Sequence, residues 1–261
     1  MASVREVDLL DGGKAFSTIK VYLAAISACH IGLGDKSPGQ HPLVSSFMKG
    51  VRRKRPVSRP LVPLWDLSGV LEALTQHPFE PLEGVGLKFL SLKTALLLAV
   101  TTAKRVSDLQ ALSTRPACLQ FAPGYSKSAE DRKLNTLCPV RALRLYVERT
   151  AGFRRGDQLF VSWATPHKGK PLSRQRLSHW IVEAIGLSYR CRGLQPPAGL
   201  KAHSTRGMAT SWALFKGIQV EDICVAASWA TPHTFVRFYR LDVSAPSLAH
   251  AVLETGASWP V

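Results

Sequence analysis

Three segments, far apart along the chain, carry polar groups that a plain hydrophobic core would not want. In the first, Thr101-Thr102-Ala103-Lys104-Arg105-Val106-Ser107-Asp108-Leu109, Arg105 follows a run of nearly pure hydrocarbon. In the second, Ala202-His203-Ser204-Thr205-Arg206-Gly207, His203 and Arg206 stand three apart and so share one face of a helix. The third runs from Ala227 to Tyr239 and holds Trp229, His233 and Arg237 before its final tyrosine. A guanidinium is a planar fork that stays charged and donates paired hydrogen bonds, which suits it to gripping an anion. Singly, each group has an ordinary explanation: Arg105 paired with a carboxylate such as Asp108, His203 near Arg206 by accident, Tyr239 after Phe238 as core. The overall charge tips the balance, because Lys and Arg outnumber Asp and Glu by 34 to 18 and leave a net +16. Such a surplus is self-repulsive unless a polyanion or counterions screen it, so a polyanion is the expected partner.

The elements that position these groups belong to a packed protein. At 261 residues, 46% hydrophobic and 20% charged, the chain has the composition of one large or two modest domains, and disorder, collagen and coiled coil are excluded. Charge-free runs reach only fourteen residues, as over Ile223–Val236, which also contains Pro232 and His233. About 20 apolar residues are needed to span a bilayer, so no membrane partner is expected. Four charges in the first eleven residues take the place of a signal peptide's apolar core, and the chain is expected to stay inside the cell. Five cysteines without any C-x-x-C pair argue against a disulfide framework or a zinc site, and no metal is expected.

Periodicity predicts a helix over 17–31, with an N-cap at Ser17 and Ile19, Tyr22, Leu23, Ala25 and Ile26 on its apolar face. Six of the eleven residues from Lys49 to Arg59 are basic (Lys49, Arg52, Arg53, Lys54, Arg55, Arg59), and Pro56, Pro60 and Pro63 follow. This reads as an extended basic linker that contacts a polyanion backbone, with a domain boundary near residue 60; a solvated charge run or an import signal is the plainer reading. Beyond it, helices are expected from Trp65-Asp66-Leu67-Ser68, over 87–103 with Lys88 and Lys93 marking its edges, on through 104–112, and from Pro139 through Val147. A short strand is expected over 158–163, then a helix capped by Ser173, and two or three short helices over 203–239 broken at Gly217 and Pro232, the last capped by Thr231.

Taken together, the order Arg, then His-x-x-Arg, then Trp and Tyr resembles the tyrosine recombinases. The wording AKRVSDLQALS, AHSTRGMATSWALF and SWATPHTFVRFYRLDV looks specifically like the integrases of DIRS-type retrotransposons, and the similarity runs from about Ser17 to the C-terminus. The resemblance implies a nuclear enzyme that cuts and rejoins double-stranded DNA through a 3′-phosphotyrosyl intermediate, without a cofactor, acting as a tetramer on two duplexes. It implies that Tyr239 is the nucleophile, that Arg105 and Arg206 hold the non-bridging oxygens, and that His203 orients or deprotonates. Trp229 would donate its indole N–H where many relatives carry His. His233 is the rival, but it follows Pro232 in the first turn of the helix carrying Tyr239, whereas the family position precedes that helix.

The chain departs from the family pattern in two places. The family carries a catalytic Lys on a β-hairpin after the first Arg, yet FAPGYSKSAEDRKLNTL, over 121–137, has neither period-2 alternation nor a β-branched run. Lys127 and Lys133 are the local candidates for it, with Lys127 the first. Fewer than sixty residues precede the boundary, so the helical core-binding domain looks truncated. The expected architecture is mostly α with a small β component: a partial helical core-binding region and basic linker over 1–60, and an α+β catalytic domain over 61–261. The five groups Arg105, His203, Arg206, Trp229 and Tyr239 favour an active recombinase, and the missing hairpin favours a catalytically inactive DNA-binding remnant. An RNA-binding protein has only the net charge behind it and lacks a recognisable RNA module.

Overall fold

Ile19 and Leu23, four residues apart, are the buried residues of helix α1 (Phe16–Cys29), and they set the inner face of a small N-terminal unit. Its start is Ala15, without a side-chain cap, so Ser17 lies inside the first turn. A computed structural model describes residues 8–30, 37–55, 64–121 and 136–241, and the chain divides into two compact units, Met1–Pro60 and Leu61–Val261. In the first unit, Leu10, Ile19 and Val51 form a core with Phe16, Phe47 and Met48 against it.

Here the expected extended linker is corrected. Lys49, Arg52, Arg53 and Lys54 lie on helix α2 (Pro42–Lys54), and Arg55 is its C-cap. The prolines that suggested extension come after the helix, while Pro42 sits at its first position, where a missing N–H costs nothing. The His41 ring accepts from the Leu43 N–H at 3.3 Å. Val44 and Val51 bury one stripe, and the cations gather at the end where the helix dipole is negative.

In the second unit, α4 (Leu87–Thr102) is the central rod, buried without interruption from Leu90 to Ala99. Around it pack α6 (Pro139–Thr150), α7 (Arg174–Cys191) and α8 (Ser204–Phe215), and α3 (Leu67–Ala73) lies on α7. Two of these helices start on side-chain caps, the second of them expected from the sequence: the Asp66 carboxylate accepts from the Gly69 N–H at 3.0 Å and the Ser173 hydroxyl from Arg176 N–H at 3.3 Å. Each fully buried Leu, Ile or Phe of this core contributes about 1.5–3 kcal/mol.

Lys93 does not mark an edge of α4. Its side chain is fully buried, and its ammonium donates to Glu80 at 2.6 Å and to the Leu74 carbonyl at 2.7 Å. Glu80 also takes Arg141 at 3.2 Å, which reaches Glu83 at 2.8 Å. Burial pulls the Lys93 ammonium below its ordinary range, against the pull of Glu80.

Helix α4 does not run on through 104–112. Ala103 takes a left-handed conformation, φ 48° and ψ 26°, which ends α4, and a new helix α5 (Val106–Gln110) starts with Arg105 as its N-cap. The expected strand over 158–163 is replaced, among the described residues, by two isolated antiparallel bridges, Ser113 with Gln158 and Val161 with Pro171. Ser162 N–H donates to Lys170 O at 2.9 Å and Leu172 N–H to Phe160 O at 3.0 Å, but Pro171 between them has no N–H to extend a ladder. The last helices among the described residues are α9 (Val220–Ala227) and α10 (Pro232–Phe238). Thr231 precedes α10 as expected but makes no side-chain cap bond.

Candidate functional site

The left-handed turn at Ala103 swings the chain so that Arg105 begins α5 with its side chain exposed. Its backbone N–H donates to Asp108 Oδ2 at 3.1 Å. His203 stands at the start of α8, also exposed. Between the starts of α5, α7 and α8 lies a cleft of about 560 Å³ whose walls include Arg105, Ser107, Arg174, Ser178, Lys201 and His203 and, among the described residues, no carboxylate. Several positive groups around an open space, with Asp108 the carboxylate beside them, make an anion site.

Arg206 lies one turn into α8 and is only 2% exposed, so it does not share an open face with His203. Its guanidinium stacks over the Trp229 ring at 4.6 Å and the Tyr239 ring at 5.0 Å. One nitrogen, Nη2, donates to the Ala227 carbonyl. Its Nε and Nη1, and the Trp229 indole Nε1, are buried donors with no acceptor. Buried N–H groups are paired in more than about 90% of cases, so three unpaired ones in contact point to a ligand oxygen.

Tyr239, the C-cap residue of α10, packs on all of these groups. Its ring stacks on Trp229 at 4.6 Å and 29° and lies 5.5 Å from the His203 ring. Its carbonyl accepts from the Ser211 hydroxyl at 3.2 Å, and the same hydroxyl accepts from Leu241 N–H at 2.7 Å, which pins the end of α10 to α8. Gly207 permits the approach, because a Cβ there would stand 3.0 Å from the Tyr239 carbonyl. The turn before α10 is built on Ser228, left-handed at φ 52°, whose hydroxyl accepts from Lys104 Nζ.

The charges interact. His203 keeps an exposed edge, but partial desolvation of its ring, followed by the charges of Arg206 and Arg105, holds it below its usual 6.5, so it is neutral near pH 7. Burial and then Arg105 lower Arg206, while the Tyr239 phenol and Asp108 raise it. His203, Arg206, Trp229 and Tyr239 are thus joined by direct ring and guanidinium contacts, and Arg105 lines the cleft with His203. His233 does not join them; it is exposed, with its Nε2 3.5 Å from Arg237 Nη1.

The basic cluster belongs to the other unit. Lys49, Arg52, Arg53 and Lys54 are exposed on α2. Arg55 is committed elsewhere, since its guanidinium donates to the carbonyls of Lys14 at 2.9 Å and Leu10 at 2.7 Å. Arg59, Lys127 and Lys133 lie outside the described residues. Sequence reasoning missed Arg174, Ser178 and Lys201. The first follows the Ser173 cap and the last stands two residues before His203, but only the folded chain brings both to one cleft. Among the described residues no group of three or more His, Cys, Asp or Glu side chains could hold a metal, and no helix is long and apolar enough to cross a membrane.

Among solved structures, the chain is similar to a lambda integrase crystallised as a dimer bound to a COC′ core site, with a TM-score of 0.54 over 95% of this chain and 16% identity. The fold is lambda-integrase-like. This chain spans 66% of that neighbour's length. No protein-family model matches the sequence, and no curated protein matches it.

Proposed function

We propose that this chain is a tyrosine recombinase that cuts and rejoins DNA through a 3′-phosphotyrosyl intermediate. The observation that carries the reading is the meeting of Arg105, His203, Arg206, Trp229 and Tyr239 beside a cationic cleft, with Arg206 Nε and Nη1 and Trp229 Nε1 lacking acceptors. Arg105 and the free donors of Arg206 hold the two non-bridging oxygens of the scissile phosphate, and Trp229 adds a third N–H as charge develops there. Neutral His203 takes the phenolic proton as Tyr239 attacks phosphorus. The Tyr239 ring now covers the donors, so it shifts off Trp229 and Arg206 as the phosphate enters. No step calls for a metal or a nucleotide.

The motif wording supports a mobile-element integrase of the DIRS type, and hence a nuclear protein. The neighbour's DNA-bound dimer supports double-stranded DNA as substrate and self-association on it, with a tetramer across two duplexes as the working assembly. Cations on α2 add affinity for the DNA backbone, since each neutralised phosphate releases counterions.

The test is a nicked duplex that traps the covalent adduct. A protein–DNA adduct formed by the wild-type chain and absent from Tyr239→Phe is the expected result. Salt-sensitive DNA binding without any adduct would replace this reading with the inactive DNA-binding remnant.

A further inference from the structure

Cleavage leaves a 5′ sugar oxygen that must gain a proton, and the cleft limits which group can give it. Arg105 and Arg174 are guanidiniums, which hold their protons too tightly to donate one. Ser107 and Ser178 carry weakly acidic hydroxyls. His203 is neutral and serves the phenol. The nearby Asp108 accepts from Arg105 N–H at 3.1 Å and from the Ser107 hydroxyl at 3.3 Å. Lys104, the neighbouring ammonium, is held by the Ser228 hydroxyl and is not part of the cleft wall.

Among the described residues of the cleft one proton donor remains. Lys201 lines the cleft beside Arg105 and His203, with an exposed side chain that no described residue engages. Its backbone is fixed: the Lys201 carbonyl accepts from Ser204 N–H at 2.9 Å and from the Ser204 hydroxyl at 2.6 Å, and that hydroxyl accepts from the Trp65 indole at 2.9 Å. A long ammonium side chain therefore springs from a rigid base into the space where the phosphate would sit.

We propose that Lys201 is the catalytic acid that protonates the departing 5′ oxygen, a role that the family resemblance had directed to Lys127 and that rests on the recombinase reading above. The Tyr239 oxygen forms its bond to phosphorus as the bond from phosphorus to the 5′ oxygen breaks. The electron pair of the broken bond stays on that oxygen, which takes a proton from Lys201 Nζ, while the phenolic proton passes to His203. Rejoining reverses each transfer: Lys201 takes the proton of the attacking 5′ hydroxyl and His203 returns one to Tyr239, so no co-reactant is consumed.

The experiment uses the full chain and two nicked duplexes, one ordinary and one with sulfur in place of the 5′ bridging oxygen. A thiol has a pKa near ~8.5, so a thiolate departs without an acid. Lys201→Ala is expected to slow adduct formation on ordinary DNA by ~10²–10⁴-fold and to act within a few-fold of wild type on the sulfur substrate. Lys201→Arg keeps the charge and the DNA affinity but donates poorly, and is expected to show the same split. Equal loss on both substrates would overturn the proposal in favour of a phosphate-binding or structural Lys201, as would full activity of Lys201→Arg on ordinary DNA. Selective sulfur rescue of Lys127→Ala or Lys104→Ala, with Lys201→Ala fully active, would hand the role to that lysine. A wild-type chain that forms no adduct even with sulfur would instead sink the recombinase reading, and this assignment with it.

Discussion

Lys93 and Arg206 are both buried cations, 0% and 2% exposed, yet their surroundings treat them in opposite ways. Around Lys93 the fold supplies an acceptor for the charge, Glu80, then a second cation, Arg141, and then Glu83. Around Arg206 it supplies aromatic faces and a single carbonyl, and leaves Nε and Nη1 with nothing to bond. A buried charge is costly unless paired, so a fully paired one has its work inside the fold. An unpaired one is held ready for a group that arrives from outside. The pairing state, rather than burial or residue type, separates the lysine that holds the protein together from the arginine that serves the site.

The sharpest way to break this comparison is to neutralise Arg206. Arg206→Met removes two donors that the fold leaves unpaired and one bond that it uses, Nη2 to the Ala227 carbonyl, so adduct formation should fall by about 10²–10³-fold while stability falls by only about 1–3 kcal/mol. A large loss of melting temperature would show that Arg206 is structural after all. The reciprocal change, Lys93→Met, should cost ~3 kcal/mol, the low end for breaking a buried pair because Arg141 still faces Glu80. Its adduct yield per folded molecule should match wild type, with denaturant melts and active-fraction titration as the readouts.

A smaller effect sharpens the same contrast through pH. His203 is held below 6.5 by burial and by Arg206 and Arg105, so the unfolded chain binds that proton more readily than the folded one. Its contribution to stability and its capacity as a base are therefore intact above pH 6.5 and decline as pH falls from 6.5 through the folded value. Adduct rates should show an acid limb below pH 6.5 that His203→Gln removes; an unchanged limb in that variant would assign the titration elsewhere.

What the sequence disclosed follows the range of the forces involved. Ser173 was legible as a cap because a cap bond spans three residues, and α4 was legible as buried because its apolar run admits no solvent face. The five site groups were legible only through their joint order. Lys93 was misread because Glu80 reaches it through tertiary structure that periodicity does not encode. The break at Ala103 carries no Gly or Pro to announce it, and α2 was hidden behind prolines that lie beyond its end. Arg174 and Lys201 join Arg105 only when three helix starts converge.

Ala103 and Ser228 each hold a left-handed backbone, and Lys104 bonds across to Ser228, so the two turns that present Arg105 and Trp229 are joined. A left-handed residue costs about 1–2 kcal/mol unless it is Gly, with Asn and Asp the next most tolerant. This gives both positions a narrow alphabet: Gly, Asn and Asp are admitted, Ala and Ser are endured, and Val, Ile and Thr are shut out. Chains that descend from a common ancestor with this one can exchange their surface residues freely and still be recognised by that restriction, which records the shape of the backbone under the site independently of the chemistry above it.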